Sequence, residues 1–296
     1  MVANILKPSA ITVVIAAIIA GALPVRARQQ PPASRLVLAS VTDARGRPLV
    51  DVDPDEFVVS ESGERCEVVA AYDADYPVVV LIDNSADTRG DLEAIRSAVG
   101  RFLSRVGERF VAIGTLTNPP ALLTSFEDER PAVLARLEAL TASPTSVLAP
   151  IEAVGLAANA VRQNGSPFSA IVVVAAHSID PAKPQNTGLL PGIFNSGAVV
   201  HVISRTSPVA TPDRTAPRLQ ADLLRDLADQ TRGNFTTVFS APSYGVALNN
   251  LADRLGTEMM VEYFAPGTNA PGEVQIGVRI PGAHVKGLRV SKGALQ

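Results

Sequence analysis

The chain has 296 residues, of which 47% are apolar and 19% charged, a balance that builds a packed core and excludes a disordered chain. A net charge of −3, an isoelectric point near 5.7 and the lack of any basic run exclude nucleic acid as the main partner. Trp is absent and aromatic residues make up 4%, so the expected core is aliphatic; the single cysteine, Cys66, leaves no internal disulfide and reads as a buried thiol.

Residues 1–27 have the form of a signal peptide. Lys7 precedes an apolar run from Ala10 to Leu23, and Val25-Arg26-Ala27 sets cleavage after Ala27. The run falls short of the roughly 20 residues a spanning helix needs. The expectation is an exported protein, periplasmic or extracellular, with no stable membrane span after cleavage. Residues 28–34, with Gln29-Gln30-Pro31-Pro32, read as an extended linker. Residues 35–73 read as an N-terminal β segment. Leu36, Leu38 and Val41, then Phe57-Val58-Val59, then Val68-Val69 give three apolar patches, separated by Asp43–Pro48 and Glu61–Glu64 turn chemistry.

From 74 to 265 strands and helices alternate, the grammar of a parallel sheet. Candidate strands are Val78–Ile82, Phe110–Leu116, Ala121–Phe126, Ala170–Ala175, Val199–Ile203, Phe235–Val238 and Met259–Phe264. Ala121–Phe126 follows Asn118-Pro119-Pro120 and reads as an antiparallel edge hairpin. Helical stripes run through Leu92, Ile95, Val99, Phe102 and Val106, through Val133, Leu134, Leu137 and Leu140, and through Ile151, Val154, Ala158 and Val161. Two more pass through Leu219, Leu223 and Leu227 and through Leu248, Leu251 and Leu255. Asp128 is the expected cap of the second helix, and Gly233 the expected left-handed stop after Leu227. Residues 266–296 return to strands, with strict alternation at Val274, Ile276, Val278 and Ile280, and are expected to pack with the N-terminal strands. The fold class is therefore α/β: a doubly wound, mostly parallel sheet with helices on both faces, plus a small β element from the two terminal segments.

The residues that carry chemistry follow the first buried strand. Pro77-Val78-Val79-Val80-Leu81-Ile82 runs into Asp83-Asn84-Ser85-Ala86-Asp87, which puts oxygen donors where open α/β sheets bind ligands. Asp and Ser there could equally cap the following helix. A strand ending in Asp-x-Ser-x-Asp, then a helix and alternating β/α units, resembles the von Willebrand factor A (VWA) domain, a Rossmann-like layer. The frames Val41–Val50, Asp55-Glu56-Phe57, Leu224–Phe235 and Met260–Gly267 are similar to the secreted bacterial VWFA-related family of acidobacterial type.

The resemblance implies a protein-binding module with a metal-ion-dependent adhesion site, at which Mg²⁺ is held by oxygens from three loops and an acidic side chain of a protein partner completes the shell. Carried over, Asp83 and Ser85 match the first loop, and Asp87 stands where a second Ser is usual. Ser146 fits the second loop, with Thr145 as second choice. His177 stands where the third loop usually has Asp, with Asp180 nearby. Imidazole suits Zn²⁺ or another transition metal better than Mg²⁺. The site is thus expected to be degenerate, with a metal-free scaffold that binds through its loops as the alternative. The Pro-rich stretch Asp180–Pro191 and Arg205–Pro217 leave strands at the same edge, as spacers or as part of a docking rim. Ser85, His177 and Asp83 could also form a hydrolase triad, but the Gly-x-Ser-x-Gly elbow is missing, so no enzymatic activity is expected.

Overall fold

The computed structural model describes residues 34–176, 186–205, 218–267, 270 and 272–291, with the backbone alone over 218–222. The signal segment with Ala27, the linker before residue 34, His177, Asp180 and residues 206–217 lie outside the described residues.

The parallel layer is built from β5 (Val78–Ile82), β6 (Val111–Thr115), β7 (Ser169–Ala175), β8 (Ala198–Arg205) and β9 (Phe235–Val238), in the spatial order β6-β5-β7-β8-β9. Every neighbouring pair is parallel. β5 is buried at each position because its alternate side chains feed two cores. Val78, Val80 and Ile82 pack toward α1 (Leu92–Arg105), α2 (Arg130–Glu138) and α6 (Ser243–Leu255), whereas Val79 and Leu81 pack toward α3 (Pro150–Asn164), α4 (Leu190–Asn195) and α5 (Arg218–Gln230). The layer is doubly wound, with the order of strands reversing at β5.

The remaining strands form two antiparallel sheets. β1 (Ser34–Thr42), β4 (Val68–Asp73), β10 (Glu258–Phe264) and β12 (His284–Val290) lie in the order β12-β1-β10-β4; β2 (Phe57–Glu61), β3 (Glu64–Cys66) and β11 (Val274–Val278) lie in the order β11-β2-β3. β1 is buried on both faces. Val37 and Val41 join Phe57, Val59, Val261 and Tyr263 between the two sheets, while Leu36 and Leu38 join the α/β core with Met260 and Leu288. The terminal segments therefore make one sandwich, and its larger sheet is shared with the α/β layer. Cys66 is buried within it, and burial pushes its thiol pKa up.

A buried ion pair, Arg35 to Glu61, sits inside the sandwich. The Tyr263 hydroxyl (3.0 Å) and the Gly272 N–H (3.0 Å) also donate to Glu61. Burial alone would raise the Glu61 pKa, but these donors and the guanidinium together bring it below the usual carboxylate value.

Four expectations are corrected. The strand Glu258–Phe264, expected in the parallel layer, lies between β1 and β4 and is antiparallel to both. Ala121–Phe126 is not a strand; it makes a single bridge, Gly114 to Leu122, and crosses so closely that a Cβ on Gly114 would stand 2.7 Å from Ala121 O. Asp128 does not cap α2, whose N-cap is Glu129; its carboxylate accepts the Ser125 N–H instead (2.6 Å). The left-handed residue after α5 is Arg232 (φ 62°), not Gly233. Gly233 is needed for close approach: a Cβ there would lie 1.8 Å from Val200 O. In the described part of the Pro-rich stretch, a 3-10 turn over Thr187–Leu189 leads into α4, and Leu189, Leu190 and buried Ile193 pack on the α3 side.

Candidate functional site

β5 ends beside β6 and β7, with Ile82 level with Thr115 and Val174, so Asp83 emerges at the carboxyl edge of the sheet, with one strand on one side of it and three on the other. Its backbone stays in the layer, as Asp83 N–H donates to Val174 O (2.9 Å). The side chain then folds back on its own loop. Oδ1 accepts the Ser85 N–H (2.9 Å), an Asx-turn that explains why Asp is favoured here. Oδ2 reaches across to β7 and accepts the Ala176 N–H (3.0 Å).

Ser85 opens a 3-10 turn over Ala86–Thr88, but its hydroxyl caps nothing. It faces the Thr88 hydroxyl (3.2 Å), which lies 3.4 Å from Asp83 Oδ1. Thr88 Oγ1 also donates to Ser85 O (2.5 Å). The expected capping role is thus absent for Asp83 and Ser85, and α1 begins instead at Asp91, which pairs with Arg205 from the end of β8.

The second loop, residues 141–148, is laid along Leu116–Asn118 and zipped to the first. Ala86 N–H donates to Thr145 O (2.9 Å) and Ser143 N–H to Asn84 O (2.7 Å). Asn84 bridges further, giving its amide to Thr141 O (3.1 Å) and taking the Thr117 hydroxyl (2.9 Å). At the outer edge the Ser146 hydroxyl donates to Asp87 Oδ1 (2.9 Å). Thr145 Oγ1 is turned inward to its own loop and accepts Val147 N–H (3.1 Å).

Two tiers result. Asp83 (0% exposed), Ser85 (1%) and Thr88 (0%) form a buried inner tier; Asp87 and Ser146 form an exposed outer pair. The sequence-derived residues Asp83, Ser85, Asp87 and Ser146 are brought to one edge, while Thr145 supplies a carbonyl rather than its hydroxyl. His177 and Asp180 lie outside the described residues. Sequence reasoning missed Thr88, one 3-10 turn beyond Ser85, together with the Asn84–Thr117 bridge. It also missed Tyr244, whose buried hydroxyl donates to Ala175 O (3.1 Å) beneath the site. Burial pushes the Tyr244 phenol pKa up; nearby Arg205 draws it down and Asp83 adds to the rise.

The donors are hard oxygens of the type Mg²⁺ takes, but those of the two described loops do not by themselves complete a coordination shell. Octahedral Mg²⁺ requires about six oxygens near 2.1 Å. Here both Asp83 oxygens accept protein hydrogen bonds and the inner hydroxyls face one another. Among the described residues, no group of three His, Cys, Asp or Glu side chains is placed to hold a metal. Nor does Ser85 meet an imidazole among them; its hydroxyl faces Thr88.

No family model matches the sequence, and no curated protein does so either. Among solved structures, the chain is similar to the conserved hypothetical protein BatB from Bacteroides thetaiotaomicron at 16% identity, with 62% of this chain and 97% of that chain covered and a TM-score of 0.47. It is also similar to a von Willebrand factor type A structure from Catenulispora acidiphila at 12% identity, covering 90% and 74%, with a TM-score of 0.49. A third is proximal thread matrix protein 1 from the mussel byssus, with a zinc-occupied MIDAS motif, at 11% identity, covering 64% and 48%, with a TM-score of 0.45. The α/β assignment rests on the strand order and register of this chain, not on these likenesses. No helix among the described residues is long and apolar enough to cross a membrane.

Proposed function

We propose that the chain is a VWA-type protein-binding module, exported after cleavage at Ala27, that docks a partner on the loops at the carboxyl edge of its parallel sheet. The observation that carries this reading is the Asp83 brace. One buried carboxylate ties the β5 loop to β7, and Asn84 ties it to the 141–148 loop, so three chain segments present a fixed rim. Loops held on a rigid scaffold are where recognition is placed. In this reading Asp83 and Ser85 are support, Asp87 and Ser146 are surface, the adhesion site is degenerate, and no catalytic role is assigned to Ser85.

A second reading is ion-assisted docking, favoured by the Thr88 hydroxyl lying 3.2 Å from that of Ser85 and 3.4 Å from Asp83 Oδ1. Mg²⁺ or Zn²⁺ would then recruit an acidic side chain of the partner.

The test is capture by the immobilised chain from the exported proteins of its own cells, with and without EDTA. The Asp87→Arg/Ser146→Arg double variant is expected to lose the captured partner. Phe110→Ser is expected to keep it, because exposed Phe110 lies at the opposite edge. Capture should survive EDTA; loss in EDTA favours the second reading. Retention by the double variant contradicts docking on this rim.

A further inference from the structure

At the amino ends of the parallel strands, away from the Asp83 loops, the turn between α5 and β9 faces β11 and β12 across a cavity of about 450 Å³. Two guanidinium groups line it, Arg232 and Arg289, together with Gln230, Thr231, Gly272 and Glu273. Arg232 occupies the left-handed region at φ 62°, an unfavourable conformation for a residue with a Cβ. Its neighbour Gly233 cannot take any other residue without striking Val200. The turn therefore holds Arg232 in place, and Arg232 Nη1 donates to Leu288 O (3.0 Å), next to Arg289 on β12.

Arg289 is half-buried, and its Nη1 is enclosed with no hydrogen-bond partner among the described residues. Burial pushes its pKa down and the charge of Arg232 pushes it further. Among the described residues neither guanidinium forms an ion pair. The carboxylate on the lining, Glu273, is exposed and accepts the amide of Gln275 (3.3 Å). Two like charges are thus packed together with a buried donor unspent, an arrangement that an anion between them relieves.

We infer that this cavity binds an oxyanion, with Arg232 and Arg289 holding a phosphate or carboxylate group of a ligand. Planar guanidinium forks match both groups through paired N–H donors. The site is separate from the rim and does not depend on the function assigned there.

Calorimetric titration of the purified chain with inorganic phosphate, and in a second arm with acetate, tests it at matched ionic strength in chloride. Saturable heat in the phosphate arm assigns a phosphorylated ligand, and in the acetate arm a carboxylate. Arg289→Gln and Arg232→Gly are each expected to weaken binding about tenfold or more, the loss typical of a charge-assisted hydrogen bond. Arg232→Gly keeps the turn, since glycine adopts positive φ freely, and it decides the matter alone if Arg289→Gln fails to fold. Absence of saturable binding in both arms, or equal binding by Arg232→Gly, overturns the inference.

Discussion

Asp83 accepts hydrogen bonds from the N–H groups of Ser85 and Ala176 inside a shell that excludes water. A carboxylate held in this way is a fixed structural joint, because every donor it satisfies would otherwise be buried and unpaired. His201 is the opposite case, a buried titratable group kept neutral. Burial pushes its pKa down to about 3, and the Arg254 guanidinium pushes the same way, while Nδ1 accepts the Asn234 N–H (3.2 Å). In the unfolded chain the same imidazole titrates near 6.5. As pH falls from 6.5 the unfolded state takes up a proton that the folded state refuses until about 3. The stability this residue contributes is therefore full above 6.5 and is lost across that window. His201→Gln is expected to shrink the drop in melting temperature between roughly pH 7 and pH 5. An unchanged drop would show that another group sets the acid response.

At the scale of elements, the join between α5 and β8 is the tightest part of the layer. Gly233 lets the chain pass directly under Val200, and Thr231 fixes the crossing by accepting the Val200 N–H on Oγ1 (3.0 Å). Gly233→Ala is expected to cost about 3 kcal/mol or more, since the added methyl meets backbone that cannot turn away. Denaturant melts check this, and a variant as stable as wild type would mean that the helix slides to make room. The left-handed stop expected at Gly233 falls on Arg232 instead, because a left-handed cap and a close approach both call for glycine and the sequence alone does not tell them apart.

β5, β7 and β8 were legible because strands covered on both faces read as unbroken Val/Ile/Ala runs. The sheet to which β10 belongs was not, because Met259–Phe264 follows α6 as a parallel strand would, and periodicity carries no information about the partner strand. The Asp83 edge was legible too, whereas its burial was not. Asn84 closes over the site through contacts 33 and 57 residues away and Thr88 within one tight turn, and residue spacing alone registers neither.

For the whole molecule, the sheet β12-β1-β10-β4 serves two cores at once, with Leu36, Leu38 and Met260 on one face and Val37, Val261 and Tyr263 on the other. The α/β layer and the sandwich thus share a wall, and the rim at the carboxyl edge projects from a body braced at its other end. The claim on which this account turns is that Asp83 braces the rim rather than holding an ion. Thermal melting of wild type and Asp83→Ala, each in EDTA and in excess Mg²⁺ or Zn²⁺, tests it most directly. The account predicts a wild-type melting temperature that is the same with and without metal. It also predicts a variant lowered equally in both, by about 3 kcal/mol for the buried donors left unpaired. A saturable rise of the wild-type melting temperature with metal, lost in Asp83→Ala, would contradict it.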